Sequence, residues 1–222
     1  FIWEEEMKDI KKIMRLDYIS IKPYFTIKNL LIMLILYLVY FFMTKNPLIA
    51  ISMPLLFAMM YSSYPFLVGD EAGIDSLYKI FGIKGDKVVK GRYAFALILF
   101  MAAIIIGLIF SLVASFFVKF DIKIVLPIIG SFFIVFVFLI SMQYPLYFKY
   151  GYKKAKTLSA ISFVVIALFS FFSMTFRNSL KDLLNLMTNN KLKSILIILF
   201  IIFVIISISI KLSEKFYKNR DF

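Results

Sequence analysis

The run YAFALILFMAAIIIGLIFSLVASFFV, Tyr93 to Val118, holds 26 consecutive residues without a charge. A helix needs about 20 such residues to cross the hydrocarbon core of a bilayer. The run shows none of the apolar–polar alternation of a barrel strand, so it is a membrane-spanning helix. Working outward, five more charge-free runs appear: Asn29 to Thr44, Asn46 to Gly69, Ile124 to Phe148, Thr157 to Phe176 and Ser194 to Ile210. The first and last are short until flanking residues are included, with Lys28 reaching back to the interface. The expected fold is therefore an all-α membrane protein, a single transmembrane domain over 1–222. Its six transmembrane helices are placed at 27–44, 46–68, 93–118, 124–147, 157–176 and 192–212.

Composition agrees. Of 222 residues 62% are hydrophobic, 27 of them Phe, more apolar surface than a soluble domain of this size can hide. The net charge of +13 lies in short segments beside the apolar runs, a pattern of membrane anchoring and not of nucleic-acid binding. With the N-terminus inside, 19 of the 26 Lys and Arg residues fall on the inner side and 7 on the outer. The positive-inside rule thus predicts both termini in the cytosol. Lys45 is the only charge between the first two runs, so a tight hairpin turning at Asn46-Pro47 is expected there. The charged, amphipathic N-terminus has no small-residue cleavage site, so no signal peptide is expected, and Met7 would serve as a start.

Three segments are periodic but do not span. In 7–22, Met7, Ile10, Met14, Tyr18 and Ile21 form one face and Lys8, Asp9, Lys11, Lys12 and Arg15 the other, ending at Pro23. This predicts an amphipathic helix in the headgroup layer. In 70–82, Asp70 and Glu71 can cap a helix on which Ile74, Leu77, Tyr78 and Phe81 recur at helical spacing, and Gly82 stops it. Gly85 would turn the chain and Asp86 cap the third span, with Lys87, Lys90 and Arg92 meeting headgroups. The helix can rest on lipid or dock its aromatic face in a groove of a soluble partner. In 179–188, Leu180, Leu183, Leu184 and Met187 make a short outer amphipathic helix.

The chemistry of most enzymes is missing. There is no His and no Cys, which removes the commonest base and thiolate metal ligands; no catalytic residue and no metal site are expected. No GxSxG or HExxH pattern and no Walker A loop occurs, so the chain cannot hydrolyse ATP alone. No acid or base lies within the six runs, which counts against a proton- or sodium-coupled transporter, although Pro54 could break the second span and expose carbonyls. Ala103, Gly107, Ser111 and Ser115 make a small-residue stripe suited to close helix packing. Candidates for a polar path are Ser62 and Ser63, and Ser159, Ser162, Ser170 and Ser173 in the fifth run, which with Ser141 and Gln143 near the end of the fourth make a mildly polar pair of helices.

This layout resembles the ABC-2 type transporter permeases, especially the small six-span bacterial members that pair with a separate ATPase subunit. The residues that carry the resemblance are Asp70-Glu71, Ser76-Leu77-Tyr78, Gly82-Ile83 and Asp86-Lys87-Val88-Val89-Lys90-Gly91-Arg92-Tyr93. It implies that Ile74 to Phe81 is a coupling helix seated in a cleft of the nucleotide-binding subunit. Asp70, Glu71, Ile74, Leu77, Tyr78 and Phe81 would then be the ATPase-coupling residues. It implies that the N-terminal helix is the family's elbow and that 179–188 is an outer re-entrant helix. The partners implied are an ABC ATPase, which holds ATP and magnesium, a second copy or a paralogous permease, and membrane lipids. The resemblance implies no cofactor bound directly to this chain. A path of Phe, Ile, Met and Ser suits a hydrophobic or amphipathic cargo, and the Ile, Lys and Phe richness looks like that of an AT-rich Gram-positive genome, which implies a bacterial cell membrane. The resemblance points to peptide exporters of the phenol-soluble-modulin or bacteriocin self-protection kind. The competing readings are a toxin-binding immunity or anchor protein, and a channel or secondary transporter acting alone.

Overall fold

The computed structural model describes the backbone of residues 2–46, 48–118, 122–175 and 191–220, and side chains over 7–46, 48–118, 123–168, 171–172 and 193–220. All of its regular elements are helical: α1 (Ile2–Ile21), α2 (Ile27–Thr44), α3 (Leu48–Tyr61), α4 (Tyr64–Ala72), α5 (Ile74–Ile80), α6 (Gly85–Ser115), α7 (Val125–Tyr150), α8 (Tyr152–Thr175) and α9 (Lys191–Lys218), with two short 3-10 turns. Five helical stretches among the described residues are long and apolar enough to cross a membrane: α2, α3 with α4, α6, α7 and α9. The fifth expected span, 157–176, falls on α8, whose apolar run continues beyond the described residues. The expected outer helix at 179–188, and Pro47 of the first hairpin, also lie outside the described residues.

The chain divides into two compact units, Phe1–Phe136 and Val137–Asp221. In the first, α3 lies along α6 and α1 packs against α6 and α4. Local chemistry sets the ends. Pro23 follows α1, and the Thr26 side chain caps α2 by accepting from Asn29 N at 3.2 Å. Lys45 takes a left-handed conformation (φ 49°) beyond α2, and Asn46 Oδ1 accepts from Leu48 N at 3.0 Å. The small-residue stripe is where α3 and α6 meet. Ala103, Gly107 and Ser111 are buried and Ser115 is exposed. A Cβ on Gly107 would stand 3.1 Å from Ile51 Cγ1 and 3.3 Å from the Ile51 backbone, so a larger residue would need the neighbour to give by a few tenths of an ångström.

The second span is not one straight helix, and its break is not at Pro54. Helix α3 runs on through Pro54, and the chain turns at Ser62–Ser63, just ahead of Pro65. Pro65 has no N–H to give to Tyr61 O, and its ring crowds that carbonyl. Ser62 and Ser63 turn their hydroxyls onto their own helix, donating to Met59 O and Met60 O at 2.8 Å each.

The loop between α4 and α6 also departs from expectation. Asp70 and Glu71 sit in the last turn of α4, not ahead of α5, so they do not cap it. Gly73 (φ 66°) bends the chain between the two helices, a conformation that leaves glycine the unstrained choice. Helix α5 closes as expected at Gly82 (φ 67°). Ile83 N donates to Tyr78 O at 2.9 Å and Gly82 N to Lys79 O at 3.1 Å, the two bonds of a Schellman motif. Gly85 opens α6 rather than turning the chain, behind an extended Lys84 that makes no side-chain cap. At about 1.5 Å per residue, the 31 residues of α6 are longer than a bilayer core of about 30 Å. Its first two turns, Gly85 to Arg92, therefore extend beyond the end of the charge-free run.

Candidate coupling corner

Helix α5 is short, and its two faces differ sharply. Asp75 and Tyr78 are each 4% exposed, whereas Leu77 is 45% exposed and Ile80 and Phe81 are each 76% exposed. Ile74 is half-buried. Of the four residues assigned to one aromatic face, Tyr78 thus points inward, and Ile80 joins Leu77 and Phe81 on the outside. Such a helix of seven residues is too short to persist alone. It is held from within.

Arg92, 1% exposed, provides the hold. Its Nη2 donates to Asp75 Oδ1 at 2.7 Å and its Nη1 to Asp75 Oδ2 at 3.4 Å, a forked bond that fixes the angle of α5. The guanidinium also lies over the Phe66 ring, 4.5 Å from its centroid, and packs against Gly69, where a Cβ would stand 2.9 Å from Nη2. A second carboxylate, Asp17 of α1, places Oδ1 3.8 Å from Arg92 Nε. One side chain on α6 is therefore braced by α1, α4 and α5 together.

Helix α1 reaches this corner by a stripe of which the periodic reading selected only Ile21. Ile13, Asp17 and Ile21 are buried one turn apart; Ile10 and Met14 are half-buried, and Met7 and Tyr18 are exposed. A Cβ on Gly91 would stand 2.7 Å from Ile13 Cγ2, so α1 rests directly on the α6 backbone. The headgroup role expected for Arg92 and Lys87 is overturned: both are buried, with Lys87 Nζ 3.8 Å from Asp86 Oδ2. The expected headgroup bed for α1 is in part replaced by protein. Burial pushes the Asp17 carboxyl up to about 7; Arg92 opposes the shift and Asp75 adds to it. Burial, with Asp17 nearby, also holds the Tyr78 phenol above its ordinary range.

Three members of this cluster, Asp17, Asp75 and Arg92, were missed as site residues in the sequence, and one left a trace. Asp17 lies four residues from Ile13 and from Ile21, an acid in the middle of an apolar stripe. That is an expensive place for a charge unless it has a partner.

The serines proposed for a path divide differently. In the second unit, Gln143 Nε2 donates to Ser162 Oγ at 3.0 Å, the Tyr147 hydroxyl donates to Ser159 Oγ at 3.2 Å, and Ser159 Oγ donates to Lys156 O at 2.7 Å. Ser159 and Ser162 are buried between α7 and α8, while the side chains of Ser170 and Ser173 lie outside the described residues. Ser209 of α9 donates to Ser141 O at 2.8 Å. The first unit instead holds an apolar cavity of about 290 Å³ between α2, α3 and α6, bordered by Met33, Tyr37, Phe57, Tyr61 and Phe110.

Comparison with known families matches residues 12–218 to the family described as ABC-2 family transporter protein. The chain belongs to the ABC-2 transporter family. Comparison with curated proteins and with solved structures finds no match. An ABC-2 permease is a membrane transport component and not itself a catalyst. Such permeases normally work with an ABC ATPase subunit, often as a dimer. The matched range takes in all of α2 to α9 and the part of α1 that carries Ile13, Asp17 and Ile21.

Proposed function

We propose that this ABC-2 permease is the membrane-spanning subunit of an ATP-driven exporter, and that the outer face of α5 is its docking point for the ATPase. The observation that carries this reading is the pairing of two properties in one short helix. Leu77, Ile80 and Phe81 stand exposed, and Asp75 on the opposite face is clamped to Arg92. An exposed apolar tip on a braced lever fits a groove on a soluble partner. It would also deliver that partner's movement to α6 and α1, through Arg92 and Asp17. In this reading six spans cross a bacterial cell membrane with both termini in the cytosol, and a second permease copy or a paralogue completes the transporter. The cargo is amphipathic or hydrophobic, such as a peptide toxin, which the apolar cavity and the lack of charge within the spans support.

Co-purification with an ATPase co-expressed from the neighbouring gene tests it. Phe81→Glu and Leu77→Glu put a charge on the outer face without touching Arg92, and each should release the ATPase while the permease keeps its elution profile in detergent. Retention of the ATPase by both variants would refute the docking face. If no ATPase associates with wild type, the immunity and channel readings take precedence.

A further inference from the structure

We propose that Asp17 is the proton-carrying member of a latch that fastens α1 to the α5–α6 corner, holding when Asp17 is protonated and loosening when it ionises. The inference goes beyond the exporter reading and does not depend on it.

The charge count motivates it. The corner buries two carboxylates, Asp17 and Asp75, against one guanidinium, Arg92. Asp75 takes the short forked bonds, and Asp17 stands 3.8 Å from Nε. Its second oxygen, Oδ2, is buried with no hydrogen-bond partner among the described residues. The Tyr78 hydroxyl is buried in the same condition, and the two groups are close enough to influence each other electrically. With both acids ionised two negative charges would face the Arg92 guanidinium and an Asp17 carboxylate oxygen would stay unsatisfied, a costly state in a buried setting. One proton on Asp17 removes one of these charges and supplies an O–H donor. On ionisation that proton passes to water.

The groups that act on Asp17 come from each packed element. Helix α6 brings Arg92, which favours ionisation; α5 brings Asp75, which opposes it, and Tyr78. Helix α4 brings the Phe66 ring and Gly69 against Arg92, and α1 itself brings Ile13 and Ile21 on either side. Burial is the largest influence and raises the carboxyl from 3.8 to about 7. A pKa raised by folding stabilises the folded contact fully below the unfolded value, near 4. That stabilisation is lost as pH rises through about 7. The sequence has no His and no Cys, so no other side chain has an ordinary pKa between about 5 and 8. The window is unusually free of competing titrations.

Hydrogen exchange of the α1 amides in the purified full chain, corrected for the intrinsic effect of pH, tests the latch. Wild-type protection over Ile13–Ile21 should fall with rising pH between pH 5 and 7, by up to about tenfold per unit, the limit for one coupled proton. In Asp17→Asn it should be flat. An infrared difference spectrum of wild type between pH 5.5 and 8.5 reads the same proton without any variant, as a buried carboxylic acid band that disappears at the higher pH. Flat wild-type protection, an unchanged slope in Asp17→Asn, or absence of the acid band would each overturn the proposal.

Discussion

The Arg92 corner and the α7–α8 ladder both bury polar side chains, yet they are built from different materials. At the corner the groups are ionisable: Arg92 faces two carboxyl groups near the start of α6, just before its charge-free run begins. Along α7 and α8 they are neutral, and Gln143, Tyr147, Ser159 and Ser162 satisfy one another and nearby carbonyls. The division follows the solvent. An ion within lipid is expensive, whereas an amide or hydroxyl there needs only a partner. A forked ion pair fixes an angle, which suits a joint. Hydrogen bonds between membrane helices are individually weak, about 0.6 kcal/mol on average.

The contrast predicts an order of damage. Arg92→Met should be the most harmful change, since it strands two buried acids; a loss of about 3–5 kcal/mol is expected. It would be read as a lowered unfolding midpoint in detergent, and adding Asp17→Asn and Asp75→Asn should recover part of it. If Arg92→Met alone is neutral, the corner is not ionic in the folded protein. Gly91→Val comes next. It drives Cγ atoms into Ile13, and overpacking of this kind costs about 1–3 kcal/mol. Proteolysis within α1 should accelerate while the spans stay protected. Gln143→Leu should be the mildest, near the average of about 0.6 kcal/mol for hydrogen bonds between membrane helices. A loss as large as that of Arg92→Met would show that the ladder, too, is a rigid element.

Much of the fold could be read from the sequence because its solvent is demanding. Runs without charge favour helices in lipid, and the five helical stretches long and apolar enough to cross a membrane among the described residues coincide with five of those runs. Turn chemistry was legible where one residue decides it, as at Gly82. It was misread where two signals competed: Pro54 looked like the breaker, but Pro65 with Ser62 and Ser63 broke the helix. The Arg92 corner was half legible. Helical spacing found Leu77 and Phe81, but it assigned Tyr78 to the same face, since spacing gives a stripe and not what covers it. Asp70 and Glu71 looked like caps until Gly73 cut the helix between them and α5.

By itself, then, the sequence determined what must lie in lipid and where the chain leaves it, because each residue's solvent there depends on its own polarity and that of its immediate neighbours. Only the tertiary structure decided what Arg92 does. Asp17, Asp75 and Arg92 are separated by 58 and 17 residues along the chain, and in one dimension each is an ordinary charge beside a membrane. Folding brings α1, α4, α5 and α6 together around them, removes water, and turns three surface-type residues into one buried unit whose charge no single segment encodes.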